Sequence, residues 1–217
     1  MMRRPRHTRN PWRWRWQRTN SGTMQETSIS LLKRIADEGT DDDWQRLLEI
    51  YRPFMYQRIS TYPLLVSQAE DIVQEVLMVL VRELPTFQRQ RTGSFRAFLR
   101  GIVLNQLRYA MRRVQKTPLV AGQYDKLTDQ IEQLADPNSQ LSVEFDRQHD
   151  QSVFRHAASI VRNEVKTSTW EAFQKHAVEG RNANAVAEEL GVSVNVVLLA
   201  KSRLTRRIRE EIRGLVD

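Results

Sequence analysis

The chain has 217 residues, 40% of them hydrophobic, a formal net charge of +8 and no cysteine. That length supports one large or two small domains with real cores. The missing cysteine excludes disulfides, thiolate zinc sites and thiol catalysis. No apolar run approaches the roughly 18 residues of a membrane span, and the N-terminus lacks the apolar segment of a signal peptide. No membrane insertion is expected, and a cytoplasmic location is the default.

Residues 1–23 form an Arg/Trp-rich tail around Pro11-Trp12-Arg13-Trp14-Arg15-Trp16. Low aliphatic content and unopposed charge predict a disordered, nonspecifically sticky extension. A role against nucleic acid or a membrane surface stays open as an alternative, as does a start of translation at Met24. Seven arginines fall in the tail and no acidic residue does, so the remainder holds 27 basic against 26 acidic side chains. The folded part is therefore nearly neutral, and the position of its charges matters more than their sum.

From Ser28 onward the pattern is helix after helix. Ile29, Leu31, Leu32 and Ile35 lie on a first helix that stops near Gly39. Asp41, Asp42 and Asp43 can cap a second, since carboxylates favour helix N-termini. Its apolar face is Trp44, Leu47, Leu48, Tyr51, Phe54 and Met55, at three-and-four spacing. A third helix runs from about Gln68 to Leu84 and stops at Pro85. A fourth runs from Phe95 to about Arg113. Thr117 to Asp150 is polar and punctuated by Pro118, Gly122, Pro137 and Asn138, which reads as a linker with a helix starting near Leu141. A second helical domain follows from about Ser152.

The fold class expected is all-α, with two small helical domains joined by a flexible linker. The domain limits are 24–116, a linker over 117–150, and 151–217. The charge is sorted in the same blocks. Arg82 to Lys116 carries nine basic residues and one acidic, and Asp125 to Asp150 carries seven acidic and two basic. Lys201 to Arg213 is basic again. Such an order suits two DNA-facing modules joined by a segment that avoids DNA.

On the third helix Asp71, Gln74, Glu75 and Met78 share one face. Periodicity alone makes this a solvated face, although two carboxylates and an amide one turn apart could also bind arginines or backbone groups of a partner helix. On the fourth helix Phe95, Leu99, Ile102, Gln106 and Ala110 form the core face, and Arg96, Arg100, Leu104 and Met111 lie broadly opposite. Asn105 sits beside Phe98, Gly101, Arg108 and Arg112. An amide next to an aromatic ring and a glycine, with arginines adjacent, could receive an unstacked base while the arginines hold phosphate. A plain basic, solvated helix is the alternative.

Near the C-terminus Asn182 can cap a short helix, Ala183 to Leu190. Gly191 supplies a turn, and Ser193 caps a second helix that carries Lys201, Ser202, Arg203, Arg206, Arg207 and Arg209. Val186, Ala187, Leu190, Val192 and Val197 are the expected packing positions. The spacing fits a helix-turn-helix, whose second helix enters the major groove. An ordinary helical hairpin is the alternative. His7, His149, His156 and His176 are scattered, and the eight glycines form no phosphate-binding loop, so neither an enzyme nor a cofactor is expected.

Taken together, these segments resemble bacterial sigma factors of the extracytoplasmic-function type, in the sigma-70 family. Ala69-Glu70-Asp71-Ile72-Val73-Gln74-Glu75-Val76 looks like the clamp-binding helix of region two. Leu84-Pro85-Thr86-Phe87, Gly93-Ser94-Phe95-Arg96-Ala97-Phe98-Leu99 and Asn105 look like the promoter-melting and minus-ten segment. Glu179 through Arg209 looks like the region four helix-turn-helix.

The resemblance implies that Asp71, Gln74, Glu75 and Met78 contact core RNA polymerase, at the beta-prime coiled coil. Phe87, Arg96, Phe98, Arg100, Asn105, Arg108 and Arg112 would contact minus-ten DNA, with Phe87 and Asn105 forming the pocket for a flipped base. Ser193, Asn195, Leu199, Lys201, Ser202, Arg203 and Arg206 would face the minus-thirty-five element. Core polymerase, through the beta-prime coiled coil and the beta flap, and promoter DNA, both double-stranded and melted, are the implied partners. An anti-sigma factor stays open as a further one. Leu198 and Ala200 stand where the family often has basic residues, Val196 where it has threonine, Phe98 in place of its usual tryptophan, and Gly101 where a large or basic residue is usual. A one-component helix-turn-helix regulator is the competing reading, and it has no need of both the Asp71 and the Phe95 segments.

Overall fold

The computed structural model describes residues 31–88, 94–114 and 121–216. The Arg/Trp tail, Met24, Ile29, Gly93 and Pro118 lie outside the described residues. Every regular element among the described residues is helical: α1 (Leu31–Glu38), α2 (Asp41–Ile59), α3 (Ala69–Glu83), α4 (Ser94–Val114), α5 (Ala121–Glu132), α6 (Gln140–Glu164), α7 (Thr167–Phe173), α8 (Ala183–Leu190) and α9 (Val194–Ile212). Short 3-10 turns join several of them. The all-α expectation holds. The chain divides into two compact units, one holding residues 165–204 and the other 29–164 with 205–217.

In the larger unit α1 ends at Gly39, where a Cβ would come within 2.9 Å of the Ile35 Cα. That close approach leaves room only for glycine. Helix α2 then starts on a capping box. The Thr40 hydroxyl accepts the Asp43 N–H, and the Asp43 carboxylate accepts the Thr40 N–H. Thr40 is thus the cap, and the three aspartates fill the first turn, where they complement the positive end of the helix dipole. Leu47, Ile50, Tyr51, Phe54, Met55 and Ile59 bury one face of α2, against α3 and α6. Helix α3 buries Ile72, Val73, Val76, Leu77 and Leu80. It ends at Glu83, and Pro85 lies in the 3-10 turn Leu84–Thr86.

Two sequence expectations are corrected here. The segment 117–150, expected to be a linker with a helix starting near Leu141, holds α5, a 3-10 turn and the start of α6 at Gln140. Leu127, Ile131 and Leu134 are buried, as are Phe145, His149, Val153, Ala157 and Val161 along one row of α6. One apolar side chain per turn suffices to seat a helix when its neighbours are long and polar. That sparse row and a core histidine gave the segment its linker-like composition. The second correction follows from the first. Helix α4 packs against α3 on one side and α5 and α6 on the other. Arg100, Leu104 and Met111, expected opposite the core, are therefore buried, at 3 to 6% exposure.

A polar chain secures α6 to the bundle. His149 is fully buried. Its Nε2 lies 3.0 Å from the Tyr51 hydroxyl and its Nδ1 lies 3.1 Å from Asp150 Oδ1. Both contacts are satisfied when Nδ1–H donates to Asp150 and Nε2 accepts from Tyr51. Phe54 meets Phe145 edge-on at 5.2 Å. Residues 205–217 seat Ile208, Ile212 and Leu215 in this unit. Ion pairs there join Arg46 to Glu211 and Arg207 to Glu164.

The smaller unit holds α7, a single π-turn over Gln174–Val178, α8 and the start of α9. Ala172, Phe173, Val186, Ala187, Val197, Ala200 and Leu204 form its core.

Candidate functional site

The α3 face comes first along the chain. Asp71, Gln74 and Met78 are exposed and Glu75 is half-buried. Glu75 pairs across to Arg113 of α4 at 3.6 Å. Met78 is 64% exposed and Val81 37%. The four residues predicted to share a face do so, and Val81 extends the strip by one turn. A lone valine in an apolar helix carries no sequence signal of exposure. The strip thus offers carboxylate and amide acceptors at one end and apolar contact at the other, a combination suited to a partner helix carrying arginines.

Phe87 follows the 3-10 turn, and its N–H bonds to the Leu84 carbonyl at 3.0 Å. Its ring lies 4.8 Å from that of Phe98 at a 32° tilt, and 5.6 Å from that of Phe95, edge-on. Phe95 belongs to the core. The two outer rings are therefore held by a buried one and lose little freedom on meeting a ligand. Gly101 and Asn105 follow on the same side of α4, with Asn105 exposed. A Cβ at Gly101 would meet nothing within 4 Å. Ring, open space and amide succeed one another along a single helix face.

The basic residues are arranged differently from expectation. Arg96 Nη1 bonds Asp150 Oδ2 at 2.6 Å. Arg100 Nη1 bonds Asp146 Oδ1 at 2.7 Å, and its side chain is 7% exposed. Arg108 grips Glu132 bidentately, with Nε to Oε1 at 2.7 Å and Nη2 to Oε2. The Arg108 bonds hold the Glu132 carboxyl below its ordinary range. Arg112 is exposed, and Arg113 lies over the Tyr109 ring. Three of the four arginines expected to face DNA thus hold carboxylates from the acidic block 125–150.

In the smaller unit a tight turn joins α8 to α9. The Asn182 side chain accepts the Asn184 N–H at 2.8 Å. Gly191 has φ 64°, and the Val192 N–H closes back on the Ala187 carbonyl at 3.0 Å. A left-handed residue closing a helix in this way favours glycine. Helices α8 and α9 are bent by 109°. Val186, Ala187 and Val197 are buried, while Leu190 and Val192 are half-buried. Lys175 and Arg181 both hold Glu189, which ties α8 to the preceding π-turn. Val197, Ala200 and Leu204 face inward. Ser193, Asn195, Leu199, Ser202, Arg203 and Arg206 are exposed, and Lys201 is half-buried. Val196, Leu198 and Leu199 are also exposed, at 41 to 47%.

Among the described residues no single helix is long and apolar enough to cross a membrane. No curated protein and no solved structure matches the chain. Residues 47–117 match the family model of sigma-70 region 2. The match runs from α2 through α4, so it takes in the α3 strip, the phenylalanine cluster, Asn105 and all four arginines, and it ends before α5. Over residues 47–117 the chain is thus similar to sigma-70 region 2.

Proposed function

We propose that the chain is a sigma factor of the extracytoplasmic-function type. It binds core RNA polymerase in the cytoplasm, recognises promoters and starts transcription. The observation that carries this reading is the coincidence of the region 2 match with one exposed acidic-apolar strip and one aromatic-amide face on consecutive helices. A regulator acting alone has no use for the first.

In this reading Asp71, Gln74, Glu75 and Met78 dock on the beta-prime coiled coil. Phe87, Phe98 and Asn105 then receive a base flipped from the minus-ten element. Extruding a base costs a few kcal/mol, and stacking on an aromatic ring returns about 1–3 kcal/mol per base. Capture therefore favours the melted strand over the duplex. The smaller unit, residues 165–204, acts as region four. The exposed face of α9 (Ser193, Asn195, Leu199, Lys201, Ser202, Arg203 and Arg206) reads the minus-thirty-five element, and the beta flap holds this part of the chain.

The test is core binding and transcription. Purified core polymerase with the chain should start at a defined set of mapped promoters. Gln74→Ala with Glu75→Ala should weaken core affinity by tenfold or more, about 1.4 kcal/mol, with unchanged helicity. Normal core affinity in that double variant would reject the docking role.

A further inference from the structure

Arg96, Arg100 and Arg108 are held by carboxylates of the segment directly after region 2, and the pairs form an ordered set. Arg96 meets Asp150 and Arg100 meets Asp146. One turn forward on α4 is thus one turn back on α6, an antiparallel ladder. Eight residues further along α4, Arg108 meets Glu132 at the end of α5. Asp150 is itself fixed from behind by the buried His149 and, through it, Tyr51. The same guanidinium groups lie on the helix whose aromatic-amide face is proposed to take the unstacked strand.

We infer that Glu132, Asp146 and Asp150 are an internal competitor for DNA, occupying in the free chain the guanidinium groups that a strand's phosphates take in the complex. The inference rests on the reading of α4 as the strand-binding helix. Carboxylate and phosphate make the same bidentate match to guanidinium, so the two occupants exclude each other at each arginine. Burial grades the three pairs. The arginine side chain is 7% exposed in the Asp146 pair, 18% in the Asp150 pair and 37% in the Glu132 pair. The Glu132 pair opens first, since an exposed ion pair contributes at most about 1 kcal/mol. The Asp146 pair stays closed longest, because parting it leaves a buried charge uncompensated. In the free chain these three guanidinium groups are therefore occupied, while Asn105 on the same helix stays exposed.

The test uses the full chain without polymerase and a labelled single-stranded oligonucleotide of mixed sequence. Glu132→Gln should raise affinity several-fold, and Glu132→Gln with Asp146→Asn and Asp150→Asn about tenfold or more. Asp129→Asn, an exposed carboxylate on the same helix, controls for the general loss of negative charge. Adding Arg108→Ala to the Glu132→Gln variant should abolish its gain. Thermal melting checks the triple variant, and Glu132→Gln stands alone if that variant unfolds, because its pair is exposed. A rise no larger than that of Asp129→Asn overturns the inference. If Glu132→Gln gives no gain while Arg108→Ala still weakens DNA binding by the polymerase-bound chain, the competitor is rejected and the strand-binding reading stands. If Arg108→Ala changes neither, that reading falls, and the inference with it.

Discussion

Asn105 and Gly191 illustrate two ways in which one residue matters. Asn105 is exposed on α4 and helps no core, so its removal should spare the fold. Asn105→Ala should slow open-complex formation by about tenfold or more, since a site built to hydrogen-bond a base loses that bond's worth in the melted state only. Duplex binding should change little. Potassium permanganate reactivity of promoter thymines, followed in time, separates the two steps, and equal slowing of both would count against a pocket. Gly191 acts through the backbone. Its φ of 64° is left-handed, and a Cβ there would meet nothing within 4 Å. The strain in Gly191→Ala is therefore conformational, about 1–2 kcal/mol, and Gly191→Asn should cost less. Chemical denaturation of the two variants measures the difference, and equal losses would mean that the turn does not depend on handedness.

At the scale of elements, the segment 121–164 is a structural part of the larger unit. Phe145 is fully buried against Phe54, so Phe145→Ala should cost about 3–5 kcal/mol, and a loss near zero in urea melts would restore the linker reading. Most elements were legible in the sequence because local chemistry announced them. Gly39, Pro85 and Gly191 punctuated the chain, the aspartates marked the start of α2, and rows at three-and-four spacing gave α2, α3 and α8. Helix α5 was not, and α6 was read only as a helix starting near Leu141, its packing missed because a histidine took a core position. Missing their packing also misplaced Arg100, Leu104 and Met111, since a wheel shows which residues share a face but not how many neighbours a helix has. The α3 strip was legible for the same reason that α2 was. The carboxylate partners of the arginines were invisible, since they lie 24 to 54 residues away along the chain.

For the whole molecule, the near balance of charge outside the tail means that, in the proposed function, DNA contacts are local and polymerase supplies much of the grip. Burial pushes the His149 imidazole below its ordinary value, although Asp150 beside it pulls the other way. His156, half-buried, is pushed in the same direction, also by burial. A histidine with a depressed folded-state pKa binds fewer protons when folded than when unfolded. Stability is therefore full above about pH 6.5 and falls as the pH drops below it, by at most about 1.4 kcal/mol per pH unit for each such group. Carboxylates such as Glu132 and Glu144, held below their ordinary range by Arg108 and Arg147, add their loss only at more acid pH. Between pH 7 and 5.5 the decline belongs to the histidines. His149→Phe should lower stability at pH 7, since Asp150 and Tyr51 lose their partner, yet flatten the slope over that interval. His149→Phe with His156→Gln should flatten it further. Urea midpoints at pH 7.5, 6.5 and 5.5 measure both, and a slope as steep in the double variant as in the parent would assign the acid sensitivity elsewhere.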